Sequence, residues 1–235
     1  MSGRRLKREI LALLAGPDLP LIQERLAGME AKAVINALFS AICHADELVR
    51  WHAISCMGSS VARLAARDME EARIVMRRLL WSLNDESGGI GWGAPESMAE
   101  IMACHKRLAG EYIHMFLSYM REDGEEIWQD GNYLEHEVLQ RGLLWGAWRL
   151  SVRRRELVLA RGMDGDLGQY LLSRDGTVRG LAALAVGELR LARWREAMVS
   201  LLADTSPVRV YVDGHLETRS VAELAANGLK RIDGT

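Results

Sequence analysis

Apolar side chains recur at three- and four-residue intervals along most of the 235-residue chain, the spacing that lines one face of an α-helix. Taken window by window, that pattern predicts helices at about 4–15, 20–27, 31–44, 46–65, 68–83, 94–107, 109–121, 133–150, 153–161, 164–173, 175–191, 195–203 and 220–231. The punctuation agrees with the period. Pro20 and Pro95 fall where a helix begins, a position that tolerates a missing N–H, and Asp46, Asp68 and Asp175 stand where an N-cap acceptor is wanted. One stretch departs from it: VRVYVDGHLETRS, residues 208–220, sets β-branched and aromatic residues on either side of Asp213-Gly214. Such a pair favours a tight two-residue turn, so a two-stranded flap at 208–219 is expected before the last helix.

The chain also repeats itself. The segment from Asp46 through Val49, Arg50, Ala53 and Met57 to Gly58 aligns without a gap on Asp175, Val178, Arg179, Ala182, Val186 and Gly187, and both read D-x-x-V-R-x-x-A-x-x-x-Φ-G with Φ apolar. The spacing has a physical reason. Val, Ala and Met or Val recur every fourth residue on one helical face, which continues through Val61 and Leu64 in the first copy and Leu189 in the second. The glycine removes a side chain where a neighbouring helix can come close, and the aspartate can cap its helix while lying near an arginine of its own or the next repeat. A weaker copy surrounds Asp204, Val208 and Arg209, with the hairpin in place of a helix.

This pattern resembles HEAT-like repeats, in particular the short version named after the phycobilisome-lyase family, in two windows of roughly 15 to 20 residues. The resemblance implies an all-α fold: an α-solenoid of HEAT-like helical hairpins, running as a single domain over 1–235, with the small β-hairpin near its end. It also implies a concave face that takes a partner, but no lyase activity, since the repeat is architectural.

Composition narrows the function classes. Thirty basic and 32 acidic side chains give a net charge of -2, so no global positive potential draws the chain to nucleic acid or anionic lipid. Cys43, Cys56 and Cys104 sit in apolar surroundings without C-x-x-C spacing, which predicts buried free thiols in a reducing cytosol. Glu9 interrupts the opening MSGRRLKREILALLAG before it becomes a signal-peptide core, and no run reaches the roughly 18 apolar residues of a membrane span. A cytoplasmic location without membrane contact follows as the expectation.

The segment from Trp81 to Glu100 concentrates candidate chemistry. Four glycines between 88 and 93 permit close backbone approach, acids cluster on either side, and Trp92 offers a stacking face ahead of a helix N-terminus at Pro95. A partner-binding ridge is therefore expected at Asn84, Asp85, Glu86, Trp92 and Glu96, joined by His136 and Glu137 of the following helical layer. Its acids would recognise basic groups and Trp92 would be the desolvated anchor. The alternative is an inter-repeat turn whose glycines supply positive φ, with Trp92 tucked over the hydrophobic seam. Phosphate binding at Gly89, Gly91 and Gly93 is disfavoured, because no strand precedes, no lysine follows and carboxylates lie nearby.

Other chemistries find less support. His105, His114 and the Glu135-His136-Glu137 run supply ligand types for a metal. Deoxyhypusine hydroxylase, an iron-binding HEAT-like family, carries several His-Glu pairs, whereas here only His136-Glu137 occurs. HEAT-like alkylpurine DNA glycosylases suggest a nucleic-acid reading through Arg77-Arg78, Arg153-Arg154-Arg155, Trp145 and Trp148. The two tryptophans are nevertheless i, i+3 with Leu144 alongside, which predicts a packed seam. No G-x-S-x-G occurs, and no cofactor or catalytic residue is indicated. The expectation is a non-catalytic protein-interaction or scaffold module; a nucleic-acid-binding repeat protein and a small-ligand or metal-dependent enzyme are its alternatives.

Overall fold

In a computed structural model, residues 3–84, 91–124 and 131–234 are described. The helices are α1 (Gly3–Leu14), α2 (Leu19–Ala27), α3 (Ala31–Ala41), α4 (Glu47–Ala65), α5 (Met69–Leu83), α6 (Ala94–Cys104), α7 (Lys106–Ser118), α8 (Glu137–Arg153), α9 (Arg155–Ala160), α10 (Met163–Asp166), α11 (Gly176–Glu188), α12 (Arg195–Ser200) and α13 (Val221–Asp233). Strands β1 (Pro207–Val212) and β2 (His215–Ser220) form the two-stranded hairpin that the Asp213-Gly214 signal predicts. The fold is all-α, an armadillo-like solenoid of helical hairpins with a small β-hairpin.

The chain divides into two compact units: Met1–Ala109 with Tyr211–Leu216, and Gly110–Val210 with Glu217–Thr235. In the first, α4 is buried nearly all round and packs on α3, α5 and α6. Asp46 caps it by accepting the Val49 N–H at 3.1 Å. Gly58 permits the approach of α6, since a Cβ there would stand 2.7 Å from Glu100 Cγ and 2.9 Å from the Glu100 carbonyl. The hairpin tip belongs to this unit. Tyr211 stacks on Trp51 with centroids 4.9 Å apart, its hydroxyl accepts from Ser55 Oγ at 3.2 Å, and His52 lies between the Leu14 carbonyl at 2.8 Å and the Gly214 carbonyl at 3.4 Å.

The second unit repeats the design. Asp175 caps α11 through the Val178 N–H at 2.9 Å, and Gly187 is packed so tightly on Gly228 of α13 that a Cβ would overlap its backbone. Both repeat glycines thus mark helix–helix approaches, as the spacing requires. The arginines reach forward in the chain: Arg141 pairs with Asp175 at 2.5 Å and Arg179 with Asp204 at 2.5 Å. Asp204 therefore takes the part of the next repeat's aspartate although a strand follows it. Burial pushes its carboxyl up, but hydrogen bonds from Ser206 and Arg179 outweigh that and hold it below the usual range. Ser220 and Glu223 close α13 with a reciprocal capping box.

Local departures have local causes. The helix expected at 133–150 begins at Glu137, because the stretch before it is held extended by Asn132 N–H to Ser118 O at 3.0 Å and Leu134 N–H to Tyr119 O at 3.2 Å. The expected helix at 164–173 is one α-turn followed by a 3₁₀ segment, Leu167–Leu172. The thiol expectation needs correction: Cys56 is buried, whereas Cys43, just past the end of α3, and Cys104, the last residue of α6, are exposed.

Candidate functional site

The glycine-rich connection between α5 and α6 places the first-unit candidates. Asn84 is the exposed C-cap of α5. Asp85, Glu86 and the glycines at 88 and 89 lie outside the described residues. The chain is next seen at Gly91, whose absent side chain lets it lie against the Ser82 carbonyl, where a Cβ would stand 2.7 Å away. Gly93, at φ 76°, turns the backbone into α6 against the end of α3, where a Cβ would come within 2.6 Å of the Ile42 carbonyl. No residue with a Cβ fits that place, so the turn is anchored on both sides.

Between these contacts Trp92 is 41% exposed, and its carbonyl accepts from Cys43 Sγ at 3.4 Å. Its indole is thus a surface group, not a side chain sunk in the inter-helix seam. Pro95 sits in the first turn of α6, as predicted, and Gly93 supplies no capping side chain. Glu96, one turn into the helix, is half-buried as a residue, yet its Oε2 is shielded from solvent and has no hydrogen-bond partner. Ser97 Oγ is shielded and unpartnered as well.

Electrostatics follow from that enclosure. Desolvation pushes the Glu96 carboxyl up to about 7, against the pull of its own backbone N–H and the Arg50 guanidinium. Burial also raises the Cys43 thiol, and the Glu96 charge adds to it. A shielded, under-compensated carboxyl is disfavoured in its charged form, a cost that the fold carries.

His136 and Glu137 belong to the second unit and are both exposed. His136 is the N-cap of α8, its Nδ1 accepting the Val138 N–H at 3.2 Å. Imidazoles serve as helix caps elsewhere too: His105 Nδ1 accepts the Leu108 N–H at 3.3 Å. Among the described residues no three His, Cys, Asp or Glu side chains are grouped to hold a metal ion.

Trp145, Arg155 and Arg77 of the nucleic-acid reading are engaged in other ways. Trp145 is 3% exposed and meets Trp148 edge-on at 6.4 Å, the packed seam that their spacing predicts. Arg155 donates to the Glu188 and Leu189 carbonyls at 2.6 and 2.8 Å, closing the end of α11. Arg77 pairs with Glu70 at 2.6 Å.

Sequence reasoning missed the most exposed indole among the described residues. Trp81, at the edge of the glycine-rich stretch, is 73% exposed on α5. Its signal was available: Trp81 is seven residues from exposed Ile74 and opposite the buried Val75 and Leu79.

No family model matches the sequence, and no curated protein matches it significantly. Solved structures do resemble it. Two engineered proteins solved by a structural-genomics consortium superpose with a TM-score of 0.54; at 14% and 15% identity they cover 98% of this chain and 97% and 99% of their own. A designed armadillo repeat protein in complex with peptide (KR)4 superposes with a TM-score of 0.51 at 14% identity, covering 95% of this chain and 98% of its own. At this identity the likeness establishes the fold, a stack of armadillo-like helical repeats.

Proposed function

We propose that this chain is a non-catalytic interaction module that holds a protein segment bearing basic side chains. Trp92 would be the apolar anchor, with Asn84, Asp85, Glu86 and Glu96 as its polar surroundings; His136 and Glu137 are a separate proposed contact on the second unit. The observation that carries the reading is the 41% exposed Trp92 on a turn that Gly91 and Gly93 anchor against Ser82 and Ile42. Aromatic anchors flanked by charge dominate interface energetics, and stacked helical repeats present extended surfaces to partners. The designed armadillo protein of similar fold that was solved with (KR)4 makes a basic peptide a reasonable ligand class to try. We read the repeat itself as the short HEAT type. The three cysteines are free, in keeping with a reducing cytosol, and among the described residues no helix is long and apolar enough to cross a membrane.

The test is capture from nuclease-treated native cytosol, comparing the wild type with a Trp92→Ala, Asp85→Ala double variant and mapping the bound segment with overlapping peptides. A Lys- or Arg-rich segment held by the wild type and lost from the variant supports the proposal. Capture indifferent to the variant, or recovery only of nucleic acid that nuclease removes, overturns it.

A further inference from the structure

The outward face of α5 and the adjoining edge of α3 carry a second surface, independent of the glycine-rich turn. Two long side-chain contacts bridge these helices: Lys32 Nζ meets Glu71 Oε1 at 2.7 Å, and Arg78 Nη1 donates to Asn36 Oδ1 at 3.2 Å. On α5, Ile74 and Trp81 are 39% and 73% exposed. Seven residues apart, they fall on the same stripe at a separation of about 10 Å along the axis. An exposed apolar stripe on a helix that already buries its opposite side does nothing for the fold.

Charge indicates what covers it. Arg78, three residues before Trp81, has neutral partners: the Asn36 amide oxygen and the Phe39 ring, which lies 3.9 Å from the guanidinium carbon. No ion pair engages Arg78 among the described residues. Glu70 is shared between Arg73 and Arg77, at 3.3 and 2.6 Å. At the start of this face Glu30, Asp68 and Glu71 answer Lys32 and Arg67, and Glu70 takes Arg73 and Arg77, so among the described residues Arg78 is the cation that no carboxylate offsets. A guanidinium stacked on an aromatic ring is held in place, so a carboxylate can pair with it at little further ordering cost.

We infer that the α3–α5 face is a docking surface for an acidic protein segment, one that seats apolar side chains on Trp81 and Ile74 and sets a carboxylate on Arg78. Nucleic acid needs several open cations along its phosphates, whereas Lys32, Arg73 and Arg77 already pair with Glu71 and Glu70 and Arg78 is placed to take a single carboxylate. An acidic segment with apolar residues spaced along one side answers both the stripe and the charge.

A library of random 16-residue peptides displayed on phage, selected on the intact chain, tests this. The selected peptides are expected to be enriched in Asp or Glu together with Leu, Ile or aromatic residues. Their affinity should fall at least about tenfold in Trp81→Ala and in Arg78→Glu while Leu172→Ala, at an exposed apolar position outside this face, leaves it unchanged. Because both altered side chains are on the surface, melting temperatures near that of the wild type will confirm that the variants fold. No enrichment, enrichment in basic peptides, or binding indifferent to both variants overturns the inference. So does salt-sensitive binding of a duplex DNA that depends on Arg78 and is not matched by any acidic peptide.

Discussion

Replacing Glu96 with glutamine should stabilise the protein at alkaline pH and leave it nearly unchanged in acid. In the folded chain the carboxyl titrates near 7, against 4.5 as the ordinary value. A carboxyl whose folded pKa is raised contributes stability that is fully present below the unfolded value and is lost as pH rises through the folded one. The window is therefore about pH 4.5 to 7, and stability should fall across it by about 1.4 kcal/mol per unit, or about 3 kcal/mol in all. Glutamine has the same shape and does not titrate. Its buried amide will introduce a constant offset of about 1 kcal/mol in either direction, which cancels when the difference between variant and wild type is compared across pH. Urea unfolding followed by far-UV circular dichroism at about pH 4.5, 6, 7 and 8.5 measures that difference. It should grow by about 3 kcal/mol from the lowest to the highest pH. A difference that stays constant would show that Glu96 is solvated and that its Oε2 is not the under-compensated group described above.

Ala182→Asp places a carboxylate on the fully buried face of α11 and should cost about 3–5 kcal/mol; a melting temperature equal to that of the wild type would refute the repeat register. Asp204→Ala removes the partner of Arg179, in a pair whose side chains are only 18% and 16% exposed, and should cost about 1–3 kcal/mol in urea unfolding. A cost no larger than that of Glu217→Ala, whose pair with Arg219 is on the surface, would show that the forward-reaching arginines do not tie successive repeats together. Under native conditions a thiol reagent at about pH 8 should modify Cys43 and Cys104 but spare Cys56, whose thiol burial pushes up to about 12; rapid labelling of all three would contradict the packing of α4 on α6.

Much of the fold was legible because the signals were redundant. For α4 and α11 the apolar period, the aspartate cap and the packing glycine all pointed to the same helix, and each was found where expected: Asp46 on the Val49 N–H, Asp175 on the Val178 N–H, Gly58 against Glu100 and Gly187 against Gly228. The hairpin was equally legible, since Asp213 and Gly214 both adopt positive φ, at 45° and 94°. Partner choice among charges was not. Arg179 had several acids within reach in the sequence, and only the fold selects Asp204. Exposure at helix ends was misjudged for the same reason: Cys43 and Cys104 follow apolar runs, but chain direction after α3 and α6 decides what covers them. In the candidate site the sequence pointed to the turn and to its tryptophan. It could not show that Glu96 Oε2 would be shielded, because shielding depends on which neighbours the fold brings against α6.

The most direct test of the central reading is isothermal titration calorimetry of the intact chain with peptide (KR)4, run in parallel on the wild type and on Trp92→Ala. The account predicts measurable binding by the wild type, weakened by at least about tenfold when the indole is removed, with the melting temperature of the variant unchanged. Equal affinity for both proteins, or no binding by the wild type, would contradict a basic-segment site built on Trp92.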